Sequence, residues 1–189
     1  MDALRHVRYM ADYNRWVNRR LYGFAADMPH AAVTENRGAY FGSILGTLNH
    51  LAVADCLWLR RFEASGHWDQ LSAAAAWLPQ PSTLREPLAI DLPSLETIRF
   101  RLDDLLVQWA AELIFSDLNR MLTYRNIKGE PCQQQVGPLL SHVFNHQTHH
   151  RGQVTTLLKQ AGVDPGVTDL IASPGFDRFN QSGSQDDGA

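Results

Sequence analysis

Cysteine is scarce in this chain: its 189 residues include two, Cys56 and Cys132, far apart and in no CxxC pair. That excludes a disulfide framework and a thiolate zinc site. Long apolar runs are missing as well, none approaching the ~18 residues of a membrane span. The opening Met-Asp-Ala-Leu-Arg-His lacks the basic-then-apolar pattern of a secretory signal. Nor is there an excess of positive charge: 17 Lys and Arg against 20 Asp and Glu leave a net −3. This gives no field for nucleic acid and no polybasic membrane patch. The reading is a cytoplasmic protein without a nucleic-acid or membrane partner. Arg15, Arg19 and Arg20, and Arg60 and Arg61, form local clusters that read as solvated helix ends, with anionic-ligand binding as the alternative.

What is present is helical periodicity. Tyr9, Tyr13, Trp16, Val17, Leu21, Phe24 and Met28 recur at steps of three and four, which predicts a first helix over 3–27, stopped by Pro29. A second helix over 43–63 is apolar all round, with Asp55 the sole formal charge between Ile44 and Leu59, so it should lie at the centre of a bundle. Residues 65–92, with Pro79-Gln80-Pro81, read as a long loop that packs through Trp68, Leu71, Trp77 and Leu78. A third helix opens at Leu92-Pro93-Ser94, with proline suited to a first turn, and carries a stripe from Leu95 to Leu113. Two β-capable runs, Met121 to Tyr124 and Cys132 to Val136, flank Lys128-Gly129 and suggest a short hairpin. A fourth helix then runs to Ala161-Gly162, glycine being a common terminator there. The expected fold is all-α: a four-helix bundle in a single domain over 1–180, followed by a flexible polar tail over 181–189.

The densest chemistry is histidine. Four of the eight histidines (His142, His146, His149 and His150) fall within nine residues of the fourth helix. At roughly 100° per residue, His150 lies inside the aliphatic stripe, His146 at its edge, and His142 and His149 outside it. Histidines one turn apart present their Cβ atoms about 5–6 Å from each other and can converge on one metal ion. Two inward imidazoles without a metal would leave polar nitrogens facing an apolar interior. His50, in the middle of the buried second helix, is the best third ligand, since Gly46 and Ala54 one turn away leave space before its ring. Three nitrogen ligands leave coordination positions open, as in catalytic rather than structural sites. A zinc-protease reading fails because Gln147 follows His146 where that motif needs a glutamate base. Asp55 lies roughly 140° around its helix from His50, poorly placed for a base.

These residues resemble the DinB-like family of bacterial four-helix-bundle metalloproteins. The resemblance covers nearly the whole chain. It rests on Tyr13 to Tyr22, on Phe41 to His50, and on the run His142 to Gln153, which reads His-x-x-x-His-x-x-His-His-Arg-Gly-Gln. The resemblance implies a three-histidine metal site at His50, His146 and His150, nickel or zinc as the ion, and a homodimer. It matches His149 and Arg151 to the motif without fixing their roles. Arg151 could serve a buried salt bridge, a dimer contact or substrate binding. It also implies, for some relatives, a thiol-dependent S-transferase using bacillithiol or mycothiol. The expected function is therefore a metal-dependent enzyme that activates a thiol or water nucleophile toward a small-molecule substrate, with a low-molecular-weight thiol as the expected co-substrate in the transferase form. The alternatives are a non-catalytic metal-binding stress-response bundle and a metal-dependent hydrolase.

Overall fold

The computed structural model describes residues 2–177; the expected tail over 181–189 lies outside the described residues. Four long helices carry the architecture: α1 (Ala3–Ala26), α3 (Ile44–Glu63), α5 (Leu92–Glu112) and α7 (Val136–Gln160). Their starts are written locally. Asp2 caps α1 by accepting from the Leu4 N–H at 3.0 Å, Ser43 caps α3 through the Gly46 N–H, and Asp91 caps α5 through the Ser94 N–H. Gly162, at φ +84°, turns the chain away after α7. α1 packs on α5 and α7, and α3 packs on the same two, so α1 faces α3 across the bundle. The all-α bundle expected from periodicity is the observed fold.

The hairpin is also present: β1 (Met121–Arg125) pairs antiparallel with β2 (Pro131–Gln135), Tyr124 opposite Cys132, around Gly129 at φ +79°. It leads directly into α7, two residues before Pro138. Three short helices were not anticipated: α2 (His30–Thr34), α4 (Asp69–Ala74) and α6 (Phe115–Leu118). α4 lies within the segment read as loop. The Glu112 carboxylate, reaching over from the end of α5, accepts from the Asp69 N–H at 2.6 Å and the Gln70 N–H at 3.0 Å. That cap comes from a distant residue, so no local signal announced the helix. The segment still packs as expected, with Trp68, Leu71 and Leu78 buried and Trp77 against the core.

Inside the bundle lies a polar network that joins all four long helices. The Arg99 guanidinium on α5 meets the Asp55 carboxylate on α3 at 2.7 Å and Asp103 on its own helix at 3.0 Å. Asn14 and Asn18 on α1 donate to the same Asp103 oxygen at 3.3 and 2.9 Å. Arg151 on α7 donates to the Asn14 side-chain oxygen and to the Thr148 hydroxyl, and lies over the Tyr13 ring. Arg99, Asp55, Asp103, Asn14, Asn18 and Arg151 are each at most 4% exposed. Two guanidiniums and two carboxylates balance, which is the condition for holding charge away from water. Arg151 is thus a buried hydrogen-bonding member of this network. Asp55, dismissed as a base on helical phase, is the ion-pair partner of Arg99.

Candidate metal centre

At one end of this polar core, α3 and α7 bring His50, His146 and His150 together. One ring nitrogen from each lies within 4.8 Å of the others, and no other cluster of potential metal ligands occurs among the described residues. The Nε2 atoms of His50 and His146 are 3.2 Å apart. Two nitrogens bound tetrahedrally at ~2.0–2.1 Å would be about 3.3 Å apart, so this pair is already at ligand spacing. Ring centroids of His150 lie 4.5 Å from those of both His50 and His146.

The surroundings fix how the rings present themselves. His50 Nδ1–H donates to the Leu84 carbonyl at 3.3 Å, since a carbonyl can only accept. Its Nε2 therefore carries a lone pair and faces His146. His150 Nδ1–H donates to Gln153 Oε1 at 2.8 Å, and the Gln153 amide in turn faces His149 Nε2 at 3.4 Å. That leaves the other nitrogen of His150 free to ligate. Outer partners of this sort set ring orientation and tautomer in metal sites.

Burial and mutual proximity keep the rings neutral. Desolvation, followed by the neighbouring imidazoles His150 and His50, lowers the His146 pKa to about 3. His50 is held down at about 4, chiefly by burial, and burial also lowers His150. Neutral imidazole is the ligating form, so at neutral pH the trio needs no deprotonation before it accepts an ion. Among the described residues no carboxylate joins the cluster. The donor set suits borderline transition metals rather than the hard cations that prefer oxygen.

Gly46 borders a small cavity of about 130 Å³ that also reaches His50, as the sequence reading expected, and it serves a second purpose. A Cβ on it would lie 2.1 Å from the Phe41 carbonyl oxygen, so glycine admits the backbone of the segment before α3. One face of His50 is covered: Phe41 stacks on its imidazole, ring centroids 3.8 Å apart and planes 16° from parallel. Phe41 also meets His150 edge-on. Sequence reasoning missed Phe41, Leu84 and Gln153 as parts of this site. Phe41 and Gln153 stood inside quoted motifs, but nothing local linked Leu84 to His50.

The remaining histidines are elsewhere. His142 is exposed and lies against the Trp58 ring, His149 is exposed and meets the trio through Gln153 and edge-on against the His150 ring, centroids 4.8 Å apart, and His67 sits near Asp117. Gln147 is fully buried and donates to the Leu51 carbonyl, away from any base position. A cleft of about 1080 Å³ opens beside His50 and His150, walled by the loop residues 80–85 and by the hairpin.

The sequence profile of the DinB family matches residues 4–178. Protein DinB of Bacillus subtilis (strain 168) is 27% identical over 158 residues, which covers 84% of this chain and 87% of that relative. No solved structure matches the chain. The profile match takes in both helices that supply the three histidines.

Proposed function

The chain belongs to the DinB family, and from that premise we propose that His50, His146 and His150 hold a divalent transition metal ion, nickel or zinc, in a metal-dependent enzyme. The most specific form of the proposal is a thiol-dependent S-transferase acting on a small electrophilic substrate. The observation that carries it is the convergence of three neutral imidazoles, within 4.8 Å of one another, beside an open cleft. A bound divalent ion supplies Lewis acidity, lowering the pKa of a coordinated thiol or water.

The chain's own residues complete the site around that chemistry. The Leu84 carbonyl and Gln153 orient two of the rings. Phe41 shields one imidazole face from water. Metal-assisted hydrolysis is aided by a general base that takes a proton from the attacking water and passes it to the leaving group, and among the described residues the cluster offers no carboxylate for that role. A thiol has a single proton to lose and is nucleophilic once it is lost. This favours transfer over hydrolysis.

The test is conjugation of electrophilic test compounds to low-molecular-weight thiols, with wild type loaded with nickel or zinc. The proposal predicts turnover that disappears on chelation and in His50→Ala. No acceleration with any bacterial thiol, combined with a metal-dependent rise in melting temperature, would support the non-catalytic stress-response bundle instead.

A further inference from the structure

The cleft beside the histidines has a one-sided charge. Arg60, Arg61, Arg85 and Arg125 line it, and no aspartate or glutamate does. Two of these cations are already engaged: Arg60 lies 3.6 Å from Glu63, and Arg125 donates to the Gly129 carbonyl. Arg61 and Arg85 differ, for among the described residues neither has a carboxylate within ion-pair distance. Each instead lies on aromatic faces. The Arg61 guanidinium is 4.4 Å from the Trp58 ring centroid and 5.0 Å from that of Tyr124. Arg85 sits 4.7 Å from Tyr40 and 5.6 Å from Phe41, the ring that stacks on His50.

Stacking fixes the plane of a guanidinium while leaving its N–H edge free to bind. A planar fork held in this way matches carboxylate and phosphate oxygens in pairs. Arg61 is also half-buried, and desolvation lowers its pKa, so its charge lacks both full hydration and an internal counter-ion. In a chain of net charge −3, a cleft without a single carboxylate is a local departure rather than a reflection of composition. Its volume of about 1080 Å³ suits a whole small molecule.

We propose that the ligand of this cleft is a small organic anion, its carboxylate or phosphate group held by Arg61 and Arg85 while another part of it reaches the histidines. For Arg61 the proposal takes up the alternative reading of the Arg60-Arg61 cluster, anionic-ligand binding. The proposal rests on the cleft serving the metal site as its substrate pocket, but it makes its own demand: selectivity for negative charge.

Isothermal titration of the metal-loaded protein with succinate, phenyl phosphate and the neutral succinamide tests it, with metal content measured on the same samples. At least one of the two anions should bind about tenfold or more tighter than succinamide. The paired substitution Arg61→Gln with Arg85→Gln should abolish that preference at unchanged metal content, and Arg61→Lys with Arg85→Lys should retain part of it. Circular dichroism checks folding, and the single glutamine variants replace the pair if it does not fold. Equal binding of succinamide, no binding of either anion, or anion binding undiminished by the glutamine substitutions would overturn the proposal. A wild type that holds no metal yet keeps the anion preference would sink the metal reading and leave the anion site standing.

Discussion

Gln153 holds His150 by accepting from its Nδ1–H at 2.8 Å, one turn beyond it on the same helix. Replacing it with leucine keeps the bulk and removes the acceptor. Gln153→Leu should weaken metal affinity by about 10–100-fold, measured by competition with a chromogenic chelator, whereas His142→Ala should leave the affinity unchanged. The histidine trio itself was legible in the sequence because helical phase alone separates inward from outward positions: His146 and His150 turn toward His50, and His142 and His149 do not. Its supports were not legible. Leu84 contributes a backbone carbonyl, which no side-chain pattern encodes. Phe41 reaches His50 because Gly46 lets the preceding chain come close, and from sequence that glycine looked like empty space.

Among the helices, α5 shows where periodicity misleads. Leu95, Leu102, Leu106 and Trp109 are buried as their spacing predicts, but Arg99 and Asp103 share that face and are buried with them, while Ile98 is only half-buried. An arginine and an aspartate one turn apart within an apolar stripe were the signal of a buried pair. The partners that complete it, Asp55, Asn14 and Asn18, come from other helices. Burial raises the Asp103 pKa to about 6 despite the adjacent Arg99 guanidinium, the mark of a carboxylate sealed from water. Arg99→Met would leave Asp55 and Asp103 without their cation in the core. It should destabilise the fold by about 3–5 kcal/mol, read from the midpoint of urea unfolding. An outcome within ~0.5 kcal/mol of wild type, the usual range of a surface substitution, would show that the network does not hold the helices together. α4 was hidden for a related reason, since its N-terminal cap is Glu112 on α5.

At the scale of the whole molecule, the histidines couple stability to pH. An unfolded chain titrates histidine near pH ~6.5, whereas folding lowers His146 to about 3 and His50 to about 4. Between those values the unfolded state binds more protons, so stability rises with pH. The contribution of these two histidines in the metal-free protein should therefore be least favourable at about pH 3 and below, rise up to about pH 6.5 and level off above it, while Asp103, raised to about 6, works against it in the acid part of that range. Thermal melts across that range check this, and His146→Ala should flatten the slope.

The four-helix frame and the family were legible because they rest on long periodic segments and on an extended motif. The charge of the cleft was not, because its arginines come from α3, the loop and the hairpin and meet only in the folded chain. The central claim, that three imidazoles from two helices form one metal site, is tested most directly by the metal content of purified protein, measured by mass spectrometry after loading and desalting. Wild type should carry close to one divalent ion per chain, and His50→Ala, His146→Ala and His150→Ala should each lose it while remaining folded. A wild type that retains no ion, or folded variants that retain as much as wild type, would contradict the account.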